Sequence, residues 1–183
     1  MKKIQEILGN YNCQAGGVFS FNARTQTITY IPEELSREEG KLALLHEIAH
    51  MKLGHFTYKY DIELLDLEHE AWEETRRLAK DYGLNIDEDH IEECLKSYDQ
   101  WLSKRASCPR CGTYSLQRSD NTFGCFVCDC YWEVNERKDR RVRKKIISKL
   151  QDTSDKTQAI IKSQKHRQLV PCLLFLVSCF FYK

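Results

Sequence analysis

The chain has 183 residues, 42% of them hydrophobic and 30% charged, with a formal net charge of +1. That composition excludes a collagen-like, low-complexity or wholly disordered chain, and the length allows one medium domain plus a small module. The charge is unevenly spread: residues 1–105 hold 13 Lys and Arg against 20 Asp and Glu, and residues 106–183 hold 15 against 7, which suits the back half to an anionic partner.

In chain order, residues 1–9 read as a short helix ended by Gly9-Asn10. Val18-Phe19-Ser20-Phe21 and Thr27-Ile28-Thr29-Tyr30-Ile31 alternate in hydropathy about a polar turn, the pattern of a β-hairpin, and Pro32 stops the second strand. Ser36 with Glu39 three residues on reads as a capping box. The helix it opens is expected to run to about Leu53, with Leu42, Leu45, Ile48 and Ala49 buried and Gly54 as its stop. Helical spacing returns from Ile62 to Tyr82, and again from about Asp87 to Arg105, where Ile91, Leu95, Tyr98 and Leu102 share a face. These elements form one α+β domain, mainly helical with a small sheet, over residues 1–105.

The first helix after the hairpin carries His46-Glu47-Ile48-Ala49-His50. One turn apart, His46 and His50 can grip one metal ion from one face, and Glu47 lies beside it as a candidate general base. With a third protein ligand, such an ion keeps an open position for water, the arrangement of a zinc hydrolase. Two solvated histidines on an ordinary helix fit the five residues equally well. The following helix offers Glu63, Asp66, Glu68, His69, Glu70, Glu73 and Glu74 as the third ligand. Nineteen residues separate His50 from Glu70, enough for the chain to turn and return antiparallel. Glu70 is the leading choice, His69 its rival, and Glu74 a residue that could orient a metal-bound histidine. His55 reads as a helix-end residue or a support for a ligand. Tyr58, Tyr60, His55 and Arg76 all remain open as oxyanion donors.

Tyr30-Ile31-Pro32, Leu35-Ser36-Arg37-Glu38, Leu44 to His50, Leu53-Gly54-His55 and Glu68-His69-Glu70-Ala71 together resemble the ImmA/IrrE-type metallopeptidase family over residues 15–82. The resemblance implies a zincin-like fold, a gluzincin-like site with His46, His50 and Glu70 on zinc, and Glu47 as general base. It also implies a regulatory protease whose substrate is a protein such as a helix-turn-helix repressor. Trp72-Glu73-Glu74-Thr75-Arg76-Arg77 is more charged than the family's pattern there, which bears on the substrate groove more than on the metal.

The start of the chain, Met1-Lys2-Lys3-Ile4-Gln5-Glu6, has no apolar signal region, so a reducing cytoplasm is expected and paired cysteines read as metal ligands rather than disulfides. Of the nine cysteines, Cys13 and Cys94 stand alone. Cys108-x-x-Cys111 and Cys125-x-x-Cys128, thirteen residues apart, form two knuckles that can close a tetrahedral four-thiolate shell, the signature of a structural zinc ribbon over residues 106–133. Cys130 is an alternative to Cys128. Two zinc ions per chain are thus expected, one catalytic and one structural.

Residues 134–168 read as a basic helical or flexible segment. Arg137, Lys138, Arg140, Arg141, Arg143, Lys144 and Lys145 are candidate nucleic-acid contacts, against the plainer reading of a solvated charged helix. The apolar stretch Leu169 to Tyr182 in the tail, 169–183, would span about 21 Å as a helix, short of the ~30 Å hydrocarbon core of a bilayer. A membrane role is therefore not favoured. The competing function is a non-catalytic regulator that binds nucleic acid or protein through the ribbon; a protease acting on DNA-bound proteins would join both halves.

Overall fold

A computed structural model describes residues 2–119, 121–135 and 141–148. It is an α+β structure with two cores. In the first, helix α1 (Lys2–Asn10) buries Ile4 and Ile7 beside a three-stranded sheet of β1 (Cys13–Ala15), β2 (Ser20–Asn22) and β3 (Thr27–Tyr30), in the order β1-β3-β2. The hairpin β2–β3 pairs antiparallel with Phe21 opposite Ile28. Its turn is held by the Asn22 carboxamide, which accepts from the amides of Arg24 and Thr25 at 3.0 and 3.2 Å. Strand β1 adds parallel to β3, a pairing with no apolar alternation in Cys13-Gln14-Ala15 to announce it.

A 3-10 turn over Pro32–Ser36 leads into helix α2 (Glu38–Leu53). The expected capping box is absent: Ser36 sits inside the turn and donates to the Glu33 carbonyl at 2.9 Å, and Arg37 opens the helix without a side-chain cap. The turn satisfies the serine locally and displaces the start of α2 by one residue. Gly54 ends α2 in the left-handed conformation, φ 70°. Of the eleven positions from Gly40 to His50 all but Lys41 are buried, because α2 lies between the sheet and helix α3 (Asp61–Tyr82).

Helix α3 turns Leu64, Glu68, Ala71, Trp72, Thr75, Leu78 and Ala79 inward at three- and four-residue spacing. Gly83, φ 57°, stops it. Helix α4 (Glu88–Ala106) then begins at Asp87, whose carboxylate accepts the His90 amide at 3.0 Å, and buries Ile91, Cys94, Tyr98, Trp101 and Leu102.

The second core is formed by Phe123 and Trp132, stacked at 5.6 Å, under an antiparallel sheet. Its strands are β4 (Leu116–Ser119), β5 (Thr122–Gly124), β6 (Tyr131–Val134) and β7 (Lys144–Ile147), in sequential order. Strand β7 corrects the expectation of a helix at this point in the basic segment. An open β6 edge offers main-chain partners to residues 144–147, and this pairing overrides the helical preference of Lys. Residues 136–140 and 149–183, which include Arg137, Lys138, Arg140 and the apolar tail, lie outside the described residues. Among the described residues no helix is long and apolar enough to cross a membrane.

Arg105 joins the two cores. Its guanidinium and the Asp61 carboxylate are both 1% exposed and 2.6 Å apart. It also donates to Asn121 at 2.9 Å and to the Asn135 carbonyl, and stacks over Trp101 at 4.4 Å. Its own carbonyl accepts the Trp132 indole N–H at 3.0 Å. Val142 packs against both cores. Since Asp61 is the first residue of α3, this arginine ties the C-terminal module to the helix that carries Glu68.

Candidate metal centres

Helix α2 places His46 and His50 one turn apart, with ring centroids 4.6 Å from each other and edge to face. From α3 a carboxylate meets them. His46 Nε2 lies 3.1 Å from Glu68 Oε2 and 3.1 Å from His50 Nε2, and His50 Nε2 lies 3.7 Å from Glu68 Oε2. A tetrahedral ion at the usual metal–nitrogen distance has ligand edges of about 3.3 Å, so these three atoms match three corners of such a shell and could hold a metal ion. The indole of Trp72 packs on the His46 ring at 4.1 Å between centroids and fixes its plane.

The third partner is therefore Glu68 rather than Glu70. Successive residues of a helix are about 100° apart, so Glu68, on the buried stripe with Leu64, Ala71 and Trp72, points at α2 while Glu70 points away and is 63% exposed. Glu70 instead meets His55 Nε2 at 3.1 Å, and His55 Nδ1 meets His50 Nδ1 at 3.0 Å. His69 is exposed. Glu74, buried, pairs with Lys52 at 2.6 Å and Arg77 at 2.8 Å, and so supports α2 rather than a metal-bound histidine. The sequence signal for Glu68 is a carboxylate in register with an apolar helix stripe, where an acid is costly without a partner.

Glu47, 1% exposed, accepts the Phe21 backbone N–H of strand β2, and its Oε1 has no hydrogen-bond partner among the described residues. Burial pushes its carboxyl up to about 7, with Glu68 adding to the rise and His50 and the Phe21 amide opposing it. Burial likewise pushes His46 down to about 4 and lowers His55. For Glu68 burial acts upward, but the facing His50 and the histidine hydrogen bonds outweigh it and hold the carboxyl well below the usual range. A bound cation would require the donor imidazoles neutral and Glu68 ionised.

Beside this centre runs an open groove of about 780 Å³, lined by Leu53, Glu73, Arg76, Leu84, Ile86 and Glu70. It does not contain the ligand atoms; of these residues Glu70 reaches the centre, through His55. Arg76 is engaged by Glu88 at 2.7 Å and Glu73 at 2.9 Å.

The second centre gathers the sulfurs of Cys108, Cys111, Cys125 and Cys128. Cys108 and Cys128 are 3.6 Å apart and Cys111 and Cys125 3.5 Å, close to the roughly 3.8 Å edge of a four-sulfur tetrahedron about a divalent ion. Each knuckle is a tight turn whose amides face its first sulfur: Arg110 N–H lies 3.4 Å from Cys108 Sγ, and Val127 N–H 3.4 Å from Cys125 Sγ. Burial acts against ionisation, but the knuckle amides, those of Cys128 and Val127 at Cys125 and those of Cys111 and Arg110 at Cys108, pull Cys125 down to about 6 and lower Cys108, whereas burial and the neighbouring sulfurs push Cys128 up to about 12. Four sulfurs this close could hold a metal ion. Cys130 is buried but stands outside the group, with its sulfur 4.0 Å from the Tyr131 carbonyl.

Of the described basic residues, Arg141, Arg143 and Lys145 are exposed. Lys144 is not free for a phosphate: it donates to the Ser107 carbonyl and lies over the Trp132 ring, 6.0 Å from its centroid. Comparison with protein-family models, curated proteins and solved structures gives no match for this chain.

Proposed function

We propose that the chain is a zinc-dependent metallopeptidase of ImmA/IrrE type with a structural zinc ribbon at its C-terminal side. The observation that carries the proposal is the convergence of His46, His50 and Glu68 with an adjacent buried carboxylate, Glu47, on the helix that supplies two of the three donors. A cluster of solvated histidines would not recruit a buried acid from a second helix.

The donor sets fit zinc: two imidazoles and a carboxylate at the first centre, four thiols at the second. At the first centre a bound zinc ion supplies a Lewis acid that polarises the scissile carbonyl and acidifies the attacking water. Glu47 takes the proton of that water on a carboxylate oxygen and returns it to the leaving amide nitrogen. The Phe21 amide holds Glu47 in place for both transfers. The groove beside Glu70 is suited to extended peptide, and a DNA-binding repressor in the cytoplasm is the substrate class the family resemblance suggests. Exposed Arg141, Arg143 and Lys145 would bring such a substrate, or the DNA under it, to the module.

A second reading is favoured by one observation: His46, Glu47, His50 and Glu68 are each 3% exposed or less. A centre this enclosed also suits a structural metal, with function residing in the ribbon. Incubating the zinc-loaded protein with a proteome-derived peptide library, and mapping new termini by mass spectrometry, separates the two. The peptidase reading expects cleavage that disappears in Glu47→Gln at unchanged zinc content. Cleavage that persists in that variant removes Glu47 from its role, and a zinc-loaded protein that cuts nothing supports the structural centre.

A further inference from the structure

Asp61 and Glu68 lie seven residues apart on α3, and both are buried. Seven residues bring a helix back to the same side, within about 20°, and carry it about 10 Å along its axis. One stripe of α3 thus bears two enclosed acids: Glu68 faces the histidines of the first centre, and Asp61 faces Arg105 and the C-terminal module. We propose that this module positions Glu68 through that stripe, so that filling the four-cysteine site raises metal affinity at His46, His50 and Glu68. The inference rests on the metal-centre reading above.

Asp61 is held at both its side chain and its backbone. Arg105 Nε meets the carboxylate at 2.6 Å, and Gln117 Oε1 of β4 accepts the Asp61 backbone N–H at 2.8 Å. That amide is one of those the first turn of a helix leaves without an internal partner. Arg105 is itself held by Asn121, in the turn before β5, and by the Asn135 carbonyl after β6. Gln117, Asn121 and Asn135 all belong to the module, and together they fix the start of α3 in rotation and in height. Glu63 accepts the Lys59 and Tyr60 amides at 2.6 and 3.2 Å, which closes the same turn locally without placing it against α2. The order of the module depends in turn on its metal. Its buried cluster is Ala106, Phe123, Trp132 and Val134 with three cysteines, and so small a core needs a staple. Binding free energy at such a closed site is folding free energy. An empty module loosens Gln117 and the partners of Arg105, and Glu68 loses its anchor two turns away. By linkage, filling the first centre raises affinity at the four cysteines by the same factor.

The test uses the full-length chain. Competition with a graded series of chelators reads zinc affinity at the first centre, and hydrogen exchange of amides 61–68 reads the hold on α3. Cys111→Ser empties the four-cysteine site. Gln117→Met removes one hydrogen bond to Asp61 and leaves the cysteines intact, and Leu116→Ala, at its exposed neighbour on β4, is the control. Cys111→Ser is expected to lower first-centre affinity by about 5–150-fold, the usual span of a coupling between sites, and to speed exchange over 61–68. Gln117→Met should lose about 2–10-fold, the worth of one hydrogen bond, with the four-cysteine zinc retained, and Leu116→Ala should match the wild type. First-centre affinity unchanged in Cys111→Ser would mean that packing of α3 on α2 alone places Glu68, and overturns the proposal. Should Cys111→Ser not fold, the other two variants decide: equal affinities in Gln117→Met and Leu116→Ala overturn it as well. A wild type that binds a single ion, at the cysteines, refutes the metal reading and the coupling with it, whereas two ions of independent affinity refute the coupling alone.

Discussion

Replacing Arg105 by Ala removes the cation that compensates a buried carboxylate. Both groups of the Arg105–Asp61 pair are 1% exposed, and Arg105 also satisfies Asn121 and the Asn135 carbonyl. The Asp61 carboxylate would remain enclosed without the cation that faces it. Breaking a buried pair from one side costs about 3–5 kcal/mol, against about 0–1 kcal/mol for a solvated one. At a urea dependence of about 2 kcal/mol per molar, the unfolding midpoint of the zinc-replete protein should fall by roughly 2 M. Removing both charges, as Arg105→Met with Asp61→Leu, leaves no orphaned ion and should recover at least half of the loss. A single-variant cost below about 1 kcal/mol, the range of a solvated pair, would refute the reasoning.

Two further outcomes follow from the same geometry. Glu47, raised from its ordinary 4.5 to about 7 by burial, contributes stability while protonated, and that contribution is lost as pH rises from 4.5 through 7. Glu47→Gln should therefore gain on the wild type across that window in the metal-free protein, by about 3 kcal/mol in urea unfolding, with a flat difference above it; a difference independent of pH would contradict the burial. Gly40→Ala would ordinarily favour a helix by about 1 kcal/mol. Here the added Cβ would lie 2.1 Å from the Glu34 carbonyl oxygen, so thermal melting should show a lower midpoint, and a rise would mean that the 3-10 turn does not pack there.

Much of the architecture is legible in the sequence because its signals are local. The three long helices follow from apolar spacing, and their stops from Gly54 and Gly83, both in the left-handed conformation. The hairpin follows from alternation, and the four ribbon cysteines from knuckle spacing. What escapes is set by tertiary partners. Cys13-Gln14-Ala15 becomes a strand because β3 has a free edge, and Lys144–Ile147 because β6 has one. The choice between Glu68 and Glu70 depends on which face of α3 meets α2. Leu64, Ala71, Trp72 and Thr75 form one stripe that includes Glu68, whereas the Glu-Ala pair of the family resemblance points to Glu70, two residues on. Arg105 is invisible to pattern reading, since an arginine in the last turn of a helix is ordinarily a solvated partner for its C-terminal carbonyls.

The identity of the third donor tests the account most directly. Zinc content per chain, measured by atomic emission after dialysis against a slight zinc excess, should be two for the wild type, one for Glu68→Ala and two for Glu70→Ala. One ion in Glu70→Ala with two retained in Glu68→Ala would contradict the centre described, as would a wild type whose one ion is lost on Cys111→Ser.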